Sequence, residues 1–270
     1  MSTLGTTSLE GLAAASPDTD RWFQLYIWKD RGFSELLERT RVTGYRALVL
    51  TVDVPVAGQR LRDVRNGLTI PPRLTLQTLL NGALHPAWWW DLLTTQPLKF
   101  ATLTSRGGTV AELIDRVFEP SVTTADFDWL REAWTGPLVV KGIQHVDDVR
   151  LVVDHGADAV IISNHGGRQL DRSPTTLELV PPIVDTLEGR AEVYVDGGIM
   201  TGADIAATIA LGAQAAMVGR AYLYGLMAGG IGGVRQTLHI LANEYARTLR
   251  LLGVTSTEEL GREHVRIRAT

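Results

Sequence analysis

Short apolar runs alternate along the chain with stretches of helical periodicity. The runs are RWFQLY (21–26), RALVLTVD (46–53), GPLVVKGI (136–143), ADAVIISN (157–164), AEVYVDGG (191–198) and AQAAMVG (213–219). The helical patterns are SELLERTRVTG (34–44), HVDDVRLVVDHG (145–156), TTLELVPPIVDTLEG (175–189), GADIAATIALG (202–212) and AYLYGLMAGG (221–230). Strands without a polar face, interleaved with helices, predict a parallel sheet covered on both sides. Pro181 and Pro182 fall inside one helical pattern and predict a bend or break there. The opening MSTLG reads as the tail of one more strand.

A doubly wound open sheet fits this alternation too. What favours a barrel is where the polar residues fall, because they gather at strand C-termini. Gln24 and Tyr26 end the first run, Thr51 and Asp53 the second, Lys141 the third, Asn164 and His165 the fourth. Asp196, Gly197 and Gly198 end the fifth, and Gly219 and Arg220 the sixth. A (β/α)8 barrel builds its active site at that face from several strand ends, with phosphate bound after the last two strands. The expected fold is therefore a TIM barrel forming one domain over residues 1–270.

One segment interrupts the rhythm. About 80 residues separate Asp53 from Gly136 without a clear core strand, against a usual connection of about 4–6. This predicts an insertion at about 62–135. It carries PAWWWDLL (86–93), whose three tryptophans read as packing the insertion against the barrel or lining a subunit contact. Without a basic amphipathic face beside them, a membrane-surface anchor is the weaker reading.

Composition removes whole classes of function. With 270 residues, 45% hydrophobic, the chain can bury one sizeable core. A net charge of −4 with dispersed basic residues gives no footing for nucleic acid. The absence of cysteine excludes disulfides, thiolate zinc sites and a cysteine nucleophile, and suits a cytoplasmic protein. The first 20 residues lack a signal-peptide pattern, and no apolar run approaches the roughly 20 residues of a transmembrane helix.

Two stretches suggest a phosphate site. YVDGGIMTGAD joins a strand, two glycines and a helix N-terminus whose free N–H groups favour an anion. MVGRAYL repeats the arrangement, with Arg220 able to grip phosphate through a fork of donors. Taken alone, Lys141 reads as a strand-end lysine snorkelling to solvent. In a crowded mouth it becomes a fixed charge for Schiff-base chemistry or for an anionic cofactor. His165 with Asp53 can form an oriented imidazole–carboxylate pair, and Arg168 with Arg60 can hold a carboxylate bidentately. Tyr26 reads as a packed ring or a hydroxyl donor.

VVKGI, SNHGGRQLD, VDGGI followed by GAD, and LGAQAAMVGRAYLYGLMAGG resemble the FMN-dependent 2-hydroxy-acid oxidase/dehydrogenase family. FQLYIWKDR and ALVLTVDVPVAGQRLRDVRN are similar to it as well, so the resemblance runs almost end to end. It implies FMN as cofactor and oxidation of an L-2-hydroxy acid, lactate-like, to the 2-oxo acid. It also implies a homo-oligomer, a tetramer. His165 would be the base, Asp53 its partner, and Lys141 the stabiliser of negative charge on reduced flavin. Arg168 and Arg60 would clamp the carboxylate, with Tyr26 bonded to substrate. Ser2, Gln24, Thr51, Lys141, Asp196, Gly198, Gly219 and Arg220 would hold FMN. Two departures stand out: Met200 where many members carry arginine, and a start that omits the family's N-terminal helices and first barrel strand. The expectation is thus an N-terminally truncated barrel, from a late start in a longer gene or a fragment, with closure by a partner chain as a further possibility. An inactive fragment, or a different phosphate-binding barrel such as an aldolase using Lys141, are the competing functions.

Overall fold

The computed structural model describes residues 1–28, 32–58, 60–67, 75–95, 100–101 and 121–267. Among them are six strands: β1 (Trp22–Leu25), β2 (Ala47–Thr51), β3 (Leu138–Ile143), β4 (Ala159–Ile162), β5 (Glu192–Asp196) and β6 (Ala215–Met217). Each pairs in parallel with the next in chain order. Among the described residues no ladder joins β6 back to β1.

The sheet curls into part of a TIM barrel, and one ring contact shows how strongly. Trp22 on β1 and Tyr194 on β5 lie 5.6 Å apart by centroid, whereas four strand spacings in a flat sheet would set them about 19 Å apart. Alternation along the strands builds two layers. Ala47, Val49, Val139, Ala159 and Ile161 point inward with Trp22, Tyr194 and Met217 around them. Phe23, Leu25, Leu48, Leu50, Val140 and Ile162 point outward into the larger core under the helices.

That outer core is closed by α1 (Leu9–Ala15), α2 (Ser34–Val42), α6 (Thr124–Ala133), α7 (Val146–Asp154) and α8 (Thr176–Leu187). Helix α6 belongs to the stretch expected to be insertion, yet it buries Phe127 and Leu130 and is followed by buried Trp134. The rest of the described insertion is α3 (Leu61–Arg65), α4 (Leu76–Ala83) and α5 (Pro86–Thr94). The expected break at Pro181 and Pro182 is absent: α8 runs through both. Two missing N–H donors are outweighed by a Thr175–Glu178 capping box and by burial of Val180, Ile183 and Leu187 against the sheet.

The tail of a further strand is visible at Met1. Its N–H3+ donates to Trp22 O, and Gln24 N donates to Met1 O at 2.8 Å, a parallel-ladder pattern along β1. The chain then turns back at once, Gly5 N bonding Ser2 O at 2.9 Å. At the other end, α9 (Gly202–Ala210) precedes β6 and α10 (Arg220–Leu252) follows it. Helix α10 outruns its predicted length because Gly229 and Gly230 kink it rather than stop it. Its two arms cross where Gly225 and Gly233 touch, a contact a side chain on Gly233 would forbid.

Candidate active site

The C-terminal ends of all six strands open on one cavity of about 420 Å³. That is the size of a small-molecule site. Of the thirteen residues proposed from the sequence, eleven line it: Ser2, Gln24, Tyr26, Thr51, Lys141, His165, Arg168, Asp196, Gly198, Gly219 and Arg220. Asp53 and Arg60 do not line it.

The register explains the convergence. Thr51 sits opposite Lys141 and Asp196 opposite Met217, so inward-pointing positions at the top of the strands form one ring. Asp53 lies just past β2, with a carboxylate only 2% exposed. His165 Nδ1 meets its oxygens at 3.0 and 3.1 Å, which leaves Nε2 as the nitrogen free for the cavity. The Lys141 ammonium lies 3.1 Å from Asp196, 3.9 Å from Asp53, and donates to Ser163 Oγ at 3.0 Å. An ammonium held by two carboxylates is not the isolated amine of a Schiff-base aldolase. Ser163, a fully buried residue, also accepts from His165 N at 3.0 Å. It therefore ties the lysine to the turn that carries the histidine.

That turn is strained. His165, Gly166 and Gly167 all have positive φ, at 54°, 65° and 69°, and a non-glycine residue there costs about 1–3 kcal/mol. Arg220 Nη2 donates to Gly166 O at 2.7 Å and helps to hold it. Gly142 answers a different need: a Cβ there would stand 2.6 Å from that of Asp53.

Positive charge collects around the far side. Burial lowers the Arg168 pKa, with the charges of Arg60 and Arg220 adding to the effect and Asp63 opposing it. Arg60 Nε is buried without a partner among the described residues. This is a setting for an anion. Burial pushes Tyr26 up to about 12, helped by Asp53 and opposed by Arg60, so its hydroxyl stays a donor at neutral pH. In the unfolded chain it ionises near 10, so its contribution to stability is lost as pH rises from about 10 through about 12. Tyr26→Phe should lose less stability than the wild type across that window, measured as urea midpoints; equal losses would remove the burial argument.

The walls also fit an extended, polar cofactor with a phosphate end. Gln24 Oε1 is fixed by Ser2 Oγ and Thr3 N, while Gln24 Nε2 and Thr51 Oγ1 are buried without partners among the described residues. Gly198 and Gly219 border open space, with no atom within 4 Å of where a Cβ would stand. One sequence inference needs correcting. In the first turn of α9, Gly202 N already donates to Glu244 at 2.9 Å and Asp204 N to the N-cap Thr201 Oγ1 at 3.2 Å, while Asp204 accepts from Met200 N and Thr201 N at 2.9 and 2.8 Å. The start of α10 has no side-chain cap, and Gly219 and Arg220 sit there. The start of α10 is thus the less occupied of the two helix N-termini. Met200 is 45% exposed at the cavity rim and adds no charge. Ser163 and the Asp204 cap were not anticipated; Ser163 lay in the SNHGG stretch but carries no spacing signal of its own.

The FMN-dependent dehydrogenase family model matches residues 1–267. A protein of Mycobacterium tuberculosis named "Putative L-lactate dehydrogenase" is 54% identical over 266 residues, 98% of this chain and 64% of its own length. The chain thus spans less than two thirds of that relative. An L-lactate dehydrogenase of Vibrio cholerae serotype O1 is 38% identical over 97% of this chain and 71% of its own. Among solved structures, that of the monotopic membrane protein (S)-mandelate dehydrogenase superposes with a TM-score of 0.92 at 36% identity, covering 98% of this chain and 71% of that one. Mandelate oxidase with benzoyl-formic acid gives 0.77 at 36% identity, over 97% of this chain and 67% of that one.

Proposed function

This chain belongs to the FMN-dependent dehydrogenase family, and on that footing we propose that it oxidises an L-2-hydroxy acid to the 2-oxo acid. The observation that carries this is the joint aim of His165, Lys141 and Arg168 into one cavity from neighbouring strand ends, with Asp53 bonded behind the histidine. Gln24, Thr51, Ser2 and Lys141 would hold the ring system of FMN, and Asp196, Gly198, Gly219 and Arg220 its ribityl and phosphate parts. Bound there, FMN supplies a two-electron acceptor for the hydrogen on the substrate's C2.

The chain's own residues do the rest. Arg168, with Arg60 behind it, binds the substrate carboxylate and so fixes which face of C2 is presented. Tyr26 keeps its proton and donates to a substrate oxygen. His165 takes the hydroxyl proton on Nε2, and Asp53 stabilises the imidazolium that results. Lys141 brings positive charge to where electrons arrive. With Met200 neutral, Arg220 carries the phosphate charge on the described wall.

The test is direct. Purified chain reconstituted with FMN should be yellow and should bleach anaerobically with L-lactate or (S)-mandelate. A chain that stays colourless, or yellow protein that neither acid bleaches, overturns the proposal. Trapping of Lys141 by borohydride with a carbonyl substrate would favour the aldolase-like alternative instead.

Location follows from the insertion. Among the described residues no helix is long and apolar enough to cross a membrane. Helices α4 and α5 nonetheless form a hairpin that exposes Leu80, Leu84, Trp88, Trp90 and Leu93, with Trp90 70% and Leu93 78% exposed. Trp89 packs on Gly82 within the hairpin, while Trp88 and Trp90 stay exposed. Residues 75–95 contain no lysine or arginine and one acid, so attachment here rests on exposed apolar area and not on charge. The structure described as a monotopic membrane protein superposes better than the mandelate oxidase does at equal identity. These observations support attachment of the hairpin to a membrane interface, on the cytoplasmic side that the cysteine-free composition suits. Phosphatidylcholine vesicles should co-sediment the protein equally at low and high salt, and Trp88→Ser with Trp90→Ser should abolish this. Retention of the double variant on vesicles would refute the assignment.

A further inference from the structure

Asp53, Arg60 and Arg168 must keep a fixed spacing, yet they lie on two separate connections. The first runs from β2 to α3 and carries Asp53 and Arg60. The second runs from β4 to α8 and carries His165 and Arg168. Besides the His165–Asp53 pair, one further side chain joins them among the described residues. Gln169 Nε2 donates to Val56 O at 2.9 Å and to Asp53 O at 3.4 Å, while its Oε1 accepts from Gly58 N at 3.2 Å. Gln169 does not line the cavity, and both ends of its carboxamide are engaged with backbone.

The two connections are in contact at this seam. A Cβ on Gly58 would stand 2.4 Å from Arg168 O and 2.7 Å from Gln169 Oε1. Gly58 therefore allows the approach, and the carboxamide holds it. The seam presents two carbonyls and one N–H, which only a carboxamide can match with both a donor and an acceptor. Asparagine is one methylene too short. Glutamate would set an acceptor against two carbonyls, and leucine would leave all three groups without their partner.

We propose that Gln169 is a positioning residue that fixes the distance between Arg60 and Arg168, and so tunes the grip on the substrate carboxylate. This rests on reading the cavity as a 2-hydroxy-acid site. Asp53 is held independently by His165 and Lys141. Loosening the seam should therefore act on binding more than on chemistry.

The experiment compares wild type, Gln169→Leu, Gly58→Ala and the double variant as FMN-loaded chains. The substrate is whichever of L-lactate and (S)-mandelate the wild type turns over faster. Oxalate affinity is measured by calorimetry. Each single variant should raise KM and the oxalate Kd about tenfold while kcat stays within about threefold, the pattern of a lost binding interaction. Because both variants open one seam, the double should be little worse than either single. Wild-type KM and oxalate Kd in either single variant at full flavin content would overturn the proposal. So would a fall in kcat without a change in KM. If Gln169→Leu does not fold, Gly58→Ala decides by the same criteria. A wild-type chain without turnover would defeat the activity assignment alone. The seam is then judged by oxalate affinity and by amide hydrogen exchange over 54–58, which should accelerate in Gln169→Leu; unchanged exchange would count against it.

Discussion

His165→Gln should retain FMN and lose about 10²–10⁴-fold in the rate of substrate-driven flavin reduction, the range for removal of a general base. Glutamine keeps the length and polarity of the side chain but cannot take a proton. The surrounding structure has reason to stay. The bond to Ser163 Oγ is donated by the backbone N of residue 165, and Arg220 grips Gly166 O whatever side chain precedes it. The strain of a φ of 54° is paid in the wild type already. The sites expected to hold FMN, from Gln24 and Thr51 to Gly219, contain no contact through the imidazole. Anaerobic stopped-flow absorbance gives the rate, and the flavin-to-protein ratio gives the cofactor content. Reduction at the wild-type rate would remove His165 from the chemistry, and loss of flavin would make it a structural residue.

Much of this site was legible because strand periodicity fixes direction. A run such as PLVVKG places Lys141 two residues after Val139, on the same inward face and one layer nearer the barrel mouth. The same count puts Thr51 above Val49, Asp196 above Tyr194 and Gln24 above Trp22. What periodicity could not show is the linkage between connections. The Asp204 cap on α9 obeys a local rule, a threonine followed three residues later by an acid, and could have been read from TGAD. Gln169 could not have been read, since its three bonds reach residues 111 to 116 positions away. The two prolines of α8 do not break it, because propensity yields to a buried face. Nor does anything local say whether an apolar helix such as α5 finds a partner.

Arg168→Met separates binding from stability, with opposite signs. In the free protein Arg168 is disfavoured by burial and by the charges of Arg60 and Arg220, only partly offset by Asp63. Its removal relieves that repulsion, so the ligand-free chain should melt no lower than the wild type. A bound carboxylate turns the same crowding into attraction, because it meets converging guanidiniums. Losing the forked donor should therefore raise KM and the oxalate Kd by about 10²–10³-fold, as for a charge-assisted bidentate contact. Arg168→Lys should recover only part of the loss, since an ammonium offers charge without the fork. Melting curves with and without saturating oxalate show both effects at once. The wild type should gain stability in proportion to the logarithm of ligand concentration over Kd, and Arg168→Met should gain almost none. A variant that melts well below the wild type without ligand, yet still responds to oxalate, would mean that Arg168 is a structural ion-pair partner. The anion site would then have to be built from Arg60 and Arg220 alone.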